Sequence, residues 1–219
     1  MTGRRRLALH THGVEVVRRR IAEEAARIMA NEGVGDYHSA KRKAAQRLGQ
    51  EDSRHLPSNR EIEKALGNYI QLFHAQDLPE TLRMQLGVAL ETMRVLAGFD
   101  PRLAGALLQG IATTFSEVQI HIFPDEPEQA ALLLQEHGIP YEETSRRLRF
   151  GGDRQEIAPV FRFLAGDTPV EIIVLPLPAA REAPLSPVDA RPMKRANLKE
   201  VERLLKNMAH PHPASQTSG

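Results

Sequence analysis

The order of patterns along the chain predicts an α+β fold: a helical N-terminal half, then a small mixed β-sheet domain flanked by helices. Three observations carry this expectation. Apolar residues recur at helical spacing from Val14 to Leu96. After Gly110 the period switches to the alternation of a half-buried strand in EVQIHIF. Several short strand candidates follow, the last of them VEIIVLPL, nearly all branched aliphatics, as in a sheet interior. Helices followed by strands, each burying one face, are the grammar of an α+β chain.

The first predicted helix, VEVVRRRIAEEAARIMANEG, aligns Val14, Val17, Ile21, Ala25 and Ile28, with Gly33 as its stop. A second carries Tyr37, Ala40, Ala44 and Leu48 and closes at Gly49. QEDSRHLP has no period and reads as a loop. Ser58 and Glu61 then have capping-box spacing, each able to satisfy a free amide of the first turn. The helix they start turns Ile62, Leu66, Tyr69, Ile70 and Phe73 inward. Pro79 opens the next, with Leu82, Leu86, Leu90, Met93 and Leu96 inward and Gly98 at its end. Asp100-Pro101 reads as the cap and first turn of a short helix through Leu108.

Beyond the strand after Gly110, EPEQAALLLQEHG is a helix ended by Gly138, and IPYEE, RRLRF and VFRFLA are strand candidates. Five prolines make 176–193 an extended wrap, and a last helix runs from about Ala196 to Met208 with Leu198, Val201, Leu204 and Leu205 inward. The expected divisions are 1–98 (helical and basic), 99–193 (α+β), 194–209 (C-terminal helix) and 210–219, a polar tail with little to bury.

Composition narrows the classes. The 219 residues are 41% hydrophobic and 26% charged, enough to bury a core. No run of eighteen apolar residues occurs, so no spanning helix is expected. MTGRRRLALHTHG lacks the apolar stretch of a secretory signal. The absence of cysteine excludes disulfides, thiol nucleophiles and cysteine-ligated metals, and fits a reducing, cytoplasmic setting. The net charge of +1 hides an asymmetry: residues 1–64 carry 14 Lys/Arg against 9 Asp/Glu.

Within GALLQGIATTFSEVQIHIF, Glu117, Gln119 and His121 share one face of the strand by alternation. LLQGIATTFSEVQIHIF resembles the opening signature of the nucleotidyltransferase (polymerase-beta-like) fold: an apolar run, a glycine turn, a nearby alanine, then Ser-Asp-x-Asp on a strand. Gly110 matches the turn, Ala112 the alanine, and Ser116-Glu117-Val118-Gln119 the acidic motif. The following helix is present, and VEIIV supplies Glu171 where a later strand should carry a third carboxylate. The resemblance covers roughly residues 100–176, and AEEAARIMANEG…DYHSAKRKAAQRLG resembles a bacterial protein group with such a domain.

The resemblance implies Glu117 and Glu171 as catalytic carboxylates holding Mg2+ or Mn2+, with Gln119 or His121 completing the metal site. It also implies nucleotide binding at Gly110, Ala112 and Ser116. Phosphoryl transfer needs convergent carboxylates because transition-state charge spreads over phosphate oxygens and a divalent ion must be held there. The sequence departs from the pattern at Gln119, an amide where the second acid belongs, and at Ile111 after the glycine. An amide ligates through its carbonyl but brings no charge, which weakens a hard-cation site. Imidazole at His121 suits zinc or manganese better than magnesium. The other reading is that Glu117, Gln119 and His121 form the polar side of an amphipathic strand. Glu171 would then sit at an exposed strand end or pair with an arginine such as Arg149 or Arg162.

A basic helical cluster, Lys41, Arg42, Lys43 and Arg47, with Arg18, Arg19 and Arg20 nearby, is either a solvated helix face or a patch for the phosphates of a nucleotide or RNA partner. Few aromatics and no tryptophan argue against a stacking platform for single strands. His10 with His12, and His210 with His212, are read as tail histidines without a structural metal. Gly151-Gly152 is a turn, not a phosphate loop. A second function class stays open beside the enzyme: a regulatory or binding module that keeps the fold without the metal.

Overall fold

The computed structural model describes residues 3–51 and 56–209. The predicted tail, with His210 and His212, lies outside the described residues. His10 and His12 fall in the first helix, but their side chains are likewise outside them.

The chain divides into two compact units. The first comprises residues 1–78, 111–116 and 186–191. Its core is three helices: α1 (Gly3–Glu32), α2 (Tyr37–Arg47) and α3 (Asn59–Phe73). Helix α1 packs against both others. Ile21, Ala22, Ala25 and Ile28 meet Ala40, Ala44 and Ala45 of α2 and Ile62 of α3, while Ala26 and Ala30 meet Leu66 and Ile70. The alanines let the helix backbones approach closely, and each fully buried isoleucine contributes roughly 1.5–3 kcal/mol. The capping box forms as expected: the Glu61 amide donates to the Ser58 hydroxyl (3.3 Å) and the Ser58 amide to the Glu61 carboxylate (2.7 Å). Asp36 caps α2 by accepting from the Ser39 amide.

Two inward expectations fail here. Leu48 is exposed, because α2 stops at Arg47 and Ala45 takes the buried position. Phe73 is exposed at the last turn of α3, where its ring lies on that of Tyr69, four residues back.

The second unit comprises 79–110, 117–185 and 192–219. It holds nearly all of α4 (Leu78–Val95), then α5 (Glu128–Glu136), α6 (Leu198–Ala209) and a six-stranded mixed sheet. The strands are β1 (Arg102–Ala104), β2 (Val118–Ile122), β3 (Glu142–Arg149), β4 (Gln155–Ala165), β5 (Thr168–Val174) and β6 (Arg195–Ala196). Their order is β3-β4-β5-β2-β1-β6, with β2 and β5 parallel and the other neighbours antiparallel. The α+β expectation therefore holds.

Strands β2 and β5 lie in the sheet interior. Val118, Ile120, Ile122, Val170, Ile172 and Val174 are buried on one face, which explains the near-continuous apolar run of the sequence. On the other face Phe123, Leu148, Phe150, Ala158, Val160, Ile173, Leu175 and Ala179 form a second apolar cluster. Helix α6 is capped reciprocally by Asn197 and Glu200, buries Val201, leaves Leu204 exposed, and is tied to α4 by Arg94–Glu202 at 3.0 Å.

The predicted short helix over 100–108 is a strand and a 3₁₀ turn (Ala106–Gln109) instead. Asp100 takes a left-handed conformation that breaks a helix start, and Arg102–Ala104 finds ladder partners on both sides, in β2 and β6. IPYEE and RRLRF merge into β3, and the wrap at 176–193 includes a 3₁₀ turn at Leu177–Ala180.

Candidate functional site

Pairing register brings the strand residues singled out above into one transverse row. Arg195 (β6), Ala104 (β1), Gln119 (β2), Glu171 (β5), Arg162 (β4) and Glu142 (β3) are successive cross-strand partners spanning all six strands. A row two residues along contains Arg102, His121, Ile173, Val160 and Thr144. Residues of one row point to one face of the sheet, so Gln119, His121 and Glu171 do share a face.

Glu171 is at the centre, its side chain 1% exposed. One carboxylate oxygen accepts from Nη2 of Arg146 (2.7 Å) and from Nε and Nη2 of Arg162 (3.1 and 2.9 Å). The other accepts from Nε2 of Gln119 at 3.1 Å. A buried carboxylate survives only with such partners, since an unpaired charge would be neutralised. Of the two sequence readings of Glu171, the structure has the arginine pair, with Arg162 as one partner. Arg146 is the partner that sequence reasoning missed. Its signal was parity: it lies on the same strand face as Glu142 and Leu148, four and two residues away.

Glu117, just before β2, is more than a third exposed and lies 4.0 Å from Nε of Arg162. Partial burial raises its carboxyl above the usual range, and the charge of Glu171 adds to this against the pull of Arg162 and Arg146. Arg162 is held more firmly protonated by its bond to Glu171, despite the opposing cost of burial.

His121 is fully buried, and among the described residues neither ring nitrogen has a hydrogen-bond partner. Burial, then the charges of Arg195 and Arg146, lower its pKa to about 3, so the ring is neutral. Arg195 donates to the carbonyls of Ala179 (2.7 Å) and Ala180 (3.0 Å) and lies over the Phe123 ring.

Gly105 was missed by the sequence reading. Its backbone, at φ 83 and ψ −162, is in a region open only to glycine, and a Cβ there would stand 3.2 Å from Oε1 of Gln119. The bare backbone thus leaves room for the amide that holds Glu171.

The proposed nucleotide-binding residues divide between the units. Gly110, left-handed at φ 72, is the last residue of its segment in the second unit. Ala112 (buried) and Ser116 belong to the first, where the Ser116 hydroxyl accepts from the Thr113 amide at 2.9 Å and closes a turn. Glu117 belongs to the second unit.

The basic cluster is largely spoken for within the first unit. Arg47 makes a two-pronged pair with Glu32 (2.6 and 2.9 Å) and Lys43 binds the same carboxylate at 2.9 Å. These cations hold the Glu32 carboxyl at about 2. Lys41 donates to the Pro57 carbonyl and to Asn59. Arg42 is exposed.

Chemically, these rows offer a buried carboxylate whose lone pairs point at two guanidinium groups and an amide, a buried neutral imidazole near arginine charges, and one partly exposed acid. A hard dication asks for several anionic or carbonyl oxygens around it. These donors do not suit one: at Glu171 it would stand among cations. Among the described residues, no three His, Asp or Glu side chains converge on a common point. No helix among them is long and apolar enough to cross a membrane. No protein-family model matches the chain, and no curated protein matches it significantly.

Proposed function

We propose that this chain is a cytoplasmic, metal-independent binding module: a divergent nucleotidyltransferase-like domain that has lost catalysis and takes the phosphates of a nucleotide or RNA. The observation that supports this reading is the Glu171 carboxylate with Arg146 and Arg162 where the signature would have carboxylates round a metal. Each guanidinium has five N–H donors. Arg146 and Arg162 are 35% and 41% exposed, so both keep donors toward solvent, where a phosphate can be met in the planar, forked geometry that arginine favours. Glu171 fixes their orientation in advance.

Titration of the full chain with ATP and with generic RNA, with Mg2+ and with EDTA, tests the reading. Binding that persists in EDTA, weakens steeply with salt and falls in Arg162→Ala supports it. Mg2+- or Mn2+-dependent incorporation of labelled nucleotide, lost in Glu117→Ala, would instead establish the catalytic alternative.

A further inference from the structure

Strand β3 pairs with β4 on one side and forms an edge of the sheet. In an antiparallel ladder the N–H and C=O of one residue point to the same side, and successive residues alternate sides. Two observations fix which residues of β3 point outward. Ser145 stands opposite Pro159, which has no N–H to give, as suits a pair not bonded across the ladder. The carbonyl of Arg149 accepts from the Leu185 amide at 2.6 Å, away from β4. Both residues are odd-numbered, so the backbone groups of Glu143, Ser145 and Arg147 also face the open edge. Leu185 covers the edge at Arg149, and among the described residues nothing pairs with the edge over Glu142–Leu148, a segment centred on Ser145.

Open edges are usually blunted by charged side chains, lysine above all. Here Glu143 and Arg147, both exposed, are opposite in sign and stand at equal distances on either side of Ser145, so two antiparallel copies would pair these charges rather than oppose them. We propose that a second copy of this chain pairs antiparallel with β3 about a two-fold axis at Ser145, joining two six-stranded sheets into one. Ser145 then meets Ser145 of the second copy, and Glu143 meets its Arg147 twice by symmetry. An axis perpendicular to the sheet keeps like faces together, so each glutamate lies beside the arginine it opposes. A one-residue slip would put side chains on the wrong faces. A two-residue slip toward the C-terminus sets Arg146 against its own copy and collides with the cap at Arg149. The proposal does not depend on the functional reading above.

Sedimentation of the full chain over a dilution series tests it. The wild type is expected to pass from monomer to dimer with concentration. Arg147→Glu and Glu143→Arg should each weaken association about tenfold, and the Glu143→Arg/Arg147→Glu double reversal should restore it. Ser145→Pro removes an outward amide that β4 does not use, and should leave a folded monomer by circular dichroism. A wild type monomeric throughout the series, single reversals that dimerise like the wild type, or a double reversal no better than the singles would overturn the proposal.

Discussion

Glu171 and Arg162 stand directly opposite one another on antiparallel strands, and two nitrogens of the arginine donate to a single carboxylate oxygen. Arg146 reaches the same oxygen from the edge strand, and Gln119 holds the other. The position that the sequence signature assigns to a metal ligand is therefore the anchor of an ion-pair cluster.

Removal of that anchor should be costly. Glu171→Ala leaves two guanidinium groups without their counter-charge; because both are partly exposed, water screens them, and the expected loss is about 2–3 kcal/mol, below the 3–5 of a fully buried pair. Arg146→Met and Arg162→Met should each cost less, since Glu171 keeps one partner, and the double variant should cost clearly more than their sum. Urea unfolding of the four variants measures this.

Two glycines separate backbone strain from crowding. Gly110→Ala meets no atom of the described residues within 4 Å, so its cost is that of the left-handed backbone, about 1 kcal/mol. Gly105→Ala combines a conformation worth roughly 1–3 kcal/mol of strain with a Cβ 3.2 Å from the Gln119 amide oxygen. Thermal melts should rank Gly105→Ala as the more damaging, and Gln119→Ala should relieve part of its defect.

The buried imidazole should make stability fall on acidification. The unfolded chain protonates His121 near its ordinary pKa of 6.5, whereas the folded chain resists until about 3. Below 6.5 the unfolded state therefore binds more protons, and stability drops by up to about 1.4 kcal/mol per pH unit until the pH reaches the folded value. His121→Leu should flatten this slope between pH 6.5 and 5, before most carboxylates titrate. With two unpartnered nitrogens removed, it should also be neutral or stabilising at pH 7.

In the helical unit, Glu32 ties down Lys43 and Arg47. Glu32→Gln releases Lys43 and leaves Arg47 with Glu24 at 3.3 Å, so RNA affinity at low salt should rise and the salt dependence should steepen by about one phosphate contact. Filter binding across a salt series reads this out.

The helices and the sheet were legible because periodicity reports which face is buried, and Ser58 and Glu61 announced their cap by spacing alone. The strand at Arg102–Ala104 was not, because a three-residue segment has no period of its own; its ladder partners come from β2 and β6, the latter more than ninety residues away. Alternation correctly put Gln119 and His121 on one face, and the isolated acid of VEIIV correctly demanded a partner. What no one-dimensional pattern gives is register: the opposition of Arg162 to Glu171, and the diagonal reach of Arg146, follow from how three strands slide into place. The counter-charges of the basic helix, Glu24 and Glu32, were hidden for the same reason, since they lie on another helix.

Direct titration of the full chain with Mn2+, followed by electron paramagnetic resonance with and without ATP, bears most closely on the claim that guanidinium groups rather than a metal satisfy Glu171. The account predicts that the protein alone leaves the free-Mn2+ signal unchanged, and that Glu171→Gln makes no difference to it. A saturable, stoichiometric loss of that signal in the wild type, abolished by Glu171→Gln, would contradict it.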